Sequence, residues 1–144
     1  MTATTFRRDV GDGIMTVLNG VIAAHPTLLL RAYRARPSNI TTDMPAVFID
    51  NRPEVVTHDS GTRTRLMSPT VVVVRAPGDN AEAMLAMDIL VDYLADAFTA
   101  QPQFVAGTMW DTYTIADEEY AIGDYLYPAV RFSFGDVTQM DGRT

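Results

Sequence analysis

The chain has 144 residues, no cysteine and a formal net charge of −7. That length suits one domain over 1–144, able to bury about two-thirds of its unfolded surface. The absent thiols exclude a disulfide framework, a cysteine nucleophile and a thiolate metal site, and the negative field disfavours general binding to nucleic acid or anionic lipid.

All eleven basic residues are arginine, which supplies planar, multi-donor groups suited to fixed ion pairs, although coding bias alone also accounts for the choice. The start, MTATTFRRDVGDG, lacks the charged-then-apolar pattern of a secretory signal. No apolar run approaches the roughly 20 residues needed to span a bilayer, so synthesis in the cytoplasm with no membrane partner is expected.

Phe6, Val10, Ile14, Val17, Leu18, Val21 and Ile22 fall at three- and four-residue spacings and predict a helix from Thr5 to Ala24 that lies on a sheet. His25-Pro26 ends it, because the residue before proline is pushed out of the α region. Gly11, Gly13 and Gly20 each cost this helix roughly 1 kcal/mol against alanine, so packing must hold it. Thr27–Arg34 and Ala46–Asp50 then read as strands, separated by the turn-rich Pro37–Pro45.

Glu54 to Arg75, EVVTHDSGTRTRLMSPTVVVVR, is the most unusual stretch. Glu54–Asp59 and Thr62–Met67 flank Ser60-Gly61, a two-residue turn with glycine at a central position, which predicts a hairpin. Each leg reaches roughly 20 Å. The legs are too polar to fill a core, whereas Val71–Val74 is apolar on both faces, so the ribbon reads as a projecting arm rooted in a buried strand. Pro69 marks a bulge or edge between them.

Asp79 and Glu82 have N-cap and N3 chemistry for a second helix to Phe98, with Met84, Met87, Val91, Leu94 and Phe98 as its buried stripe. Asp88, Asp92 and Asp96 form a carboxylate ridge. After Gln101-Pro102, strands are expected over Gly107–Ile115 and Ala129–Phe134, with the acidic, tyrosine-rich Ala116–Tyr127 between them and a turn at Gly123-Asp124. Residues after Gly135 have little to bury, so 136–144 is expected to fray. The fold class is α+β: a mixed, mostly antiparallel sheet packed against two helices, with a β-hairpin arm.

Catalysis needs a nucleophile or metal held beside a tuned base. The two histidines, His25 and His58, have no neighbours at zinc spacing. Neither Asp88/Asp92/Asp96 nor Asp117/Glu118/Glu119 has the loop spacing of a calcium site. GDG near residue 12 falls inside a helical pattern and cradles no phosphate, and the serines lack a GxSxG context. No catalytic, cofactor or metal residue is therefore assigned, and an enzyme is not expected.

Other residues point to protein partners. Arg31, Arg34 and Arg36 surround Tyr33, and Arg63 and Arg65 lie two apart on one face of the arm beside His58. Arginine and tyrosine bring large contact area and directional donors to interfaces. A solvated basic edge that blocks strand aggregation fits the same residues. Tyr120, Tyr125 and Tyr127, among acids, either complement the arginines in a head-to-tail contact or cover the sheet.

The order of elements, with PAVFID, the Glu54–Val74 ribbon and the ending YPAVRFSF, resembles the tail terminator, or tail completion, proteins of long-tailed bacteriophages and related minor tail proteins. The resemblance spans nearly the whole chain. It implies a virion protein, assembled in the host cytoplasm, whose hexameric ring caps the tail tube. The ring would end tube polymerisation and form the surface for head-tail joining. Its partners would be further copies of the chain, the tail tube protein and a head-tail connector protein, with DNA passing an acidic lumen without specific binding. Arg31, Arg34, Arg36, His58, Arg63, Arg65, Tyr120 and Tyr125 would lie at subunit or tube contacts. A head-tail connector or neck protein is the alternative within virions; outside them, a small metabolic enzyme or ligand-binding domain would use His58, Asp59 and Arg63 around a pocket.

Overall fold

The computed structural model describes residues 5–38, 45–75, 81–104, 108 and 110–141. Helix α1 (Phe6–Ala24) buries Phe6, Val10, Ile14, Val17, Leu18 and Val21, with Ile22 at the margin of the same core. The stripe is the one its spacing predicts. Pro26 opens a single 3-10 turn over Pro26–Leu28, and Leu29 closes it with φ at 55°, a left-handed conformation uncommon for leucine. That reversal shortens the strand expected over Thr27–Arg34 to β1 (Arg31–Tyr33).

The remaining elements are β2 (Ala46–Ile49), β3 (Glu54–Asp59), β4 (Thr62–Met67), β5 (Thr70–Val74), α2 (Ala81–Ala100), β6 (Tyr113–Ile122), β7 (Tyr125–Phe134) and β8 (Val137–Asp141). The fold is α+β. A five-stranded mixed sheet runs β1-β2-β5-β7-β6, parallel only at β1–β2, and a three-stranded antiparallel sheet runs β3-β4-β8.

One face of the large sheet presents Val47, Ile49, Val71, Val73, Val130, Phe132 and Phe134 to the helices. The helices are antiparallel: His25, at the end of α1, stacks on Tyr93, while Gly13, near its start, meets Phe104 just beyond α2. That second approach is so close that a Cβ on Gly13 would overlap the Phe104 backbone, standing 2.9 Å from its Cα. Tyr113 ties β6 to α2 by hydrogen bonding to the Ala95 carbonyl at 3.0 Å and to Thr99 at 2.8 Å.

The other face carries Phe48, Val72, Val74, Tyr120, Ile122, Tyr127 and Ala129. Tyr120 on β6 is three strands away from Phe48 on β2 in sheet order, with β5 and β7 between them, a separation of roughly 14 Å in a flat sheet. Its ring nevertheless lies 5.3 Å from that of Phe48. The β6–β7 hairpin therefore curls over this face and closes a second small core.

Several expectations are corrected. The segment Ala116–Tyr127 does not separate two strands; it belongs to them, with only Gly123-Asp124 turning and Gly123 at φ 60°. Met84 is 53% exposed, and Leu90 takes its expected place in the α2 stripe beside Met87, Leu94 and Phe98. Residues 137–141 do not fray: Val137 is fully buried and β8 pairs with β4 from Met67↔Val137 to Arg63↔Asp141. The Asp79 N-cap and most of the Pro37–Pro45 loop lie outside the described residues.

Candidate functional site

The hairpin forms with the register its sequence predicts, Glu54↔Met67 through Asp59↔Thr62, around Ser60 at φ 49° and Gly61 at φ 82°. Left-handed values at both central positions match the right-handed twist of the legs. Strand pairing continues through the root. Thr70 N–H donates to the Asn51 carbonyl at 2.8 Å and Ser68 N–H to the Pro53 carbonyl at 2.9 Å, while buried Pro69 accepts from Phe134. The arm is thus an outward continuation of β2 and β5 that leaves their sheet at Pro69 and gains β8 as a third strand.

Along β3 every residue beyond Glu54 is exposed, including Val55 and Val56 on opposite faces. Among the described residues this edge strand pairs only with β4, and it has no lysine, proline or bulge to block pairing on its outer side.

At the base of the arm, arginines gather on the first turns of α1. Arg34 pairs with Asp12 and donates to the Arg8 carbonyl at 2.9 Å. Arg52 donates to the Arg7 carbonyl at 3.1 Å, and Arg7 returns a bond of 2.9 Å to the Arg52 carbonyl. Gly11 makes the space, since a Cβ there would stand 2.7 Å from Nη2 of Arg34 and 3.1 Å from Nη1 of Arg52. Burial, and then the guanidinium charges of Arg7 and Arg34, hold the Arg52 pKa below its ordinary value.

Glu54 anchors the cluster by pairing with Arg7 at 2.9 Å and with Arg65. Burial works to raise its pKa, but the hydrogen bonds and charges of Arg65 and Arg7 outweigh it and leave the carboxyl below its usual range. The Arg65 guanidinium also lies over the Phe6 ring, 5.1 Å from its centre. Together these contacts fasten the arm to the start of α1.

A second polar network fixes the curled hairpin. Arg131 reaches Glu118 at 3.0 Å, Asp50 at 2.9 Å and the Thr70 hydroxyl at 3.1 Å, while the Tyr120 hydroxyl donates to Asp50 at 2.6 Å. Burial lowers the Arg131 pKa less than Glu118 and Asp50 raise it. Burial, then the bond to Asp50, pushes the Tyr120 hydroxyl up, offset in part by Arg36.

The residues singled out from sequence therefore divide. Arg34 and Arg65 join the base cluster, and Arg36 approaches Tyr120, which is buried. Arg31 is exposed on β1, His58 and Arg63 face each other across the arm, and Tyr125 is 64% exposed at the β6–β7 turn. Arg7, Arg52, Glu54, Asp50 and Arg131 were missed. A helical glycine four residues after Arg7 was the available sign that something lies against that face.

His25 lines a groove of about 640 Å³ between α1 and α2, floored by Gly13, Gly20 and Ala97, and its ring stacks on Tyr93 at 3.7 Å. His58, Asp59 and Arg63 do not line it; they are on the arm. Asp88, Asp92 and Asp96 are all exposed on α2. Among the described residues no helix is long and apolar enough to cross a membrane.

Fold and site together define an α+β domain bearing an arginine-braced, three-stranded arm. No family model matches this chain, and no curated protein matches it either.

Proposed function

We propose that this chain is a structural protein of a long-tailed phage virion, a tail terminator that caps the tail tube as a hexameric ring and offers the surface for head-tail joining. It acts by shape and charge complementarity, without catalysis or cofactor. The observation that carries this reading is the arm: a stiff sheet braced at its base by Glu54, Arg7 and Arg65, and ending in an unblocked edge with Val55 and Val56 exposed. Exposed β-branched residues on an open edge strand favour pairing with another chain. A net charge of −7 suits a lumen through which DNA slides, because acidic walls repel phosphates.

The experiment is co-expression with the tail tube subunit of the same phage. Negative-stain images are expected to show rings and tubes of limited length, and Val55→Asp with Val56→Asp is expected to give long, uncapped tubes from a folded protein. Tubes whose length distribution is the same with and without this chain would overturn the proposal.

A further inference from the structure

Charge is sorted along this chain and the fold keeps it sorted. Nine of the eleven arginines precede residue 76, whereas 76–130 has ten carboxylates and no basic residue. The first half supplies α1 and the β1 edge of the large sheet, and the second supplies α2 and the β6 edge. Because the helices are antiparallel, the arginine cluster at the start of α1 and the first half of α2, with Glu82 and Asp88, lie at opposite ends of the helical layer.

The acidic end is also apolar. Met84, Leu85 and Ile89 on α2 are 53%, 60% and 41% exposed, and Ile115 on β6 is 45% exposed. Met84, Asp88 and Asp117 line one groove of about 200 Å³ between α2 and the β6–β7 hairpin, with Arg75 as the basic residue at its margin. Asp117 and Glu119 project from the same face of β6 and make no ion pair among the described residues. Uncovered methyl and thioether groups ringed by carboxylates suit a partner with aliphatic surface and clustered guanidinium groups. The base of the arm supplies guanidinium groups from Arg7, Arg8, Arg34 and Arg52, and exposed Val56 stands on the same face of β3 as Glu54, the carboxylate that pairs with Arg7.

We infer that the α2–β6 surface, centred on Met84, Asp88, Asp117 and Glu119, is the docking face for the arginine-braced arm base of a second copy of this chain. The inference rests on the self-assembly reading above and specifies which surfaces meet. The two patches differ and every copy carries one of each, so the contact is heterologous and continues from copy to copy until it closes. Guanidinium groups steer and register the approach, and the exposed aliphatic groups supply the area that leaves water.

The test is sedimentation of the full chain, with circular dichroism to verify folding, for wild type, Asp117→Arg with Glu119→Arg, Arg8→Glu, and all three changes together. Arg8 suits the reversal because its side chain is 68% exposed and its ion pair with Asp9 is long, at 3.8 Å. Each reversal is expected to weaken self-association about ten-fold, and raising salt from about 50 to about 500 mM to weaken the wild type. The combined variant is expected to recover most of the loss. Reversals that leave association unchanged, or single losses that the combination does not repair, overturn this pairing while self-assembly stands. A wild-type chain that remains monomeric at about 100 μM, alone and with tube protein, overturns both.

Discussion

Helix propensity and packing make opposite predictions at Gly13, and Gly20 in the same helix serves as its control. Replacing a helical glycine by alanine stabilises by about 1 kcal/mol where nothing obstructs the methyl group. Around Gly20, apart from its own chain neighbours and helix backbone, no described atom lies within 4 Å of the new Cβ. Gly20→Ala should therefore gain up to about 1 kcal/mol and raise the melting temperature by roughly 2–4 °C. At Gly13 the obstruction is the Phe104 backbone, with its Cα 2.9 Å from the added carbon, and a backbone cannot step aside as a flexible side chain can. Moving it also disturbs the Phe104 ring, 5.1 Å from Phe134 and 6.1 Å from Phe98. Overpacking of this kind costs about 1–3 kcal/mol, and after the helix gain of about 1 kcal/mol a net loss of up to about 2 kcal/mol remains. Urea unfolding and thermal melts of both variants give the comparison. A Gly13→Ala protein as stable as Gly20→Ala would refute the close approach on which the α1–α2 packing rests.

Arg131→Met leaves Asp50 and Glu118 facing each other without their shared cation, and should cost about 2–3 kcal/mol in a thermal melt. Glu54 has a folded pKa below its ordinary 4.5, so it stabilises the fold above that pH and loses the contribution as pH falls through the folded value. Glu54→Gln should flatten this acid limb in melts at successive pH and lower stability at neutrality by about 1 kcal/mol. Tyr120 has a raised pKa, so the unfolded chain loses its proton first. Its contribution is complete below the ordinary 10.0 and falls as pH rises from there, a slope that Tyr120→Phe should remove from alkaline melts. Val55→Asp on the exposed edge should change stability by less than about 0.5 kcal/mol while reducing self-association in sedimentation.

Local chemistry made parts of this fold legible in the sequence. Ser60-Gly61 fixes the arm register because two-residue turns allow few geometries, and the α1 stripe follows from helical spacing alone. The curl of β6–β7 was hidden because Asp117 and Glu119 face outward on a strand that buries Tyr120 and Ile122, so its acids read as a loop. β8 was missed for a different reason: Val137 is buried only because β4, about 70 residues earlier, lies beside it. Long-range pairing also explains the site residues that were missed. Arg65 and Tyr120 look like interface groups in isolation, but Phe6 and Glu54 engage the first and Asp50 the second. The hairpin register brings Glu54 diagonally beside Arg65, but nothing in the neighbouring sequence names Phe6 for Arg65 or Asp50 for Tyr120.

Among the described residues β8 follows every other strand in chain order, and it is the third strand of the arm. A two-stranded ribbon in water is marginal alone, and a third strand is what makes such a sheet persist. While the chain is being synthesised, α1 and the β2–β5 strands can dock before β8 emerges, with the arm still a wavering pair of legs. The rigid edge then appears only when translation has passed Asp141. If subunits join through this edge, as proposed, nascent chains crowded on one messenger are kept from joining one another until each has its own fold in place.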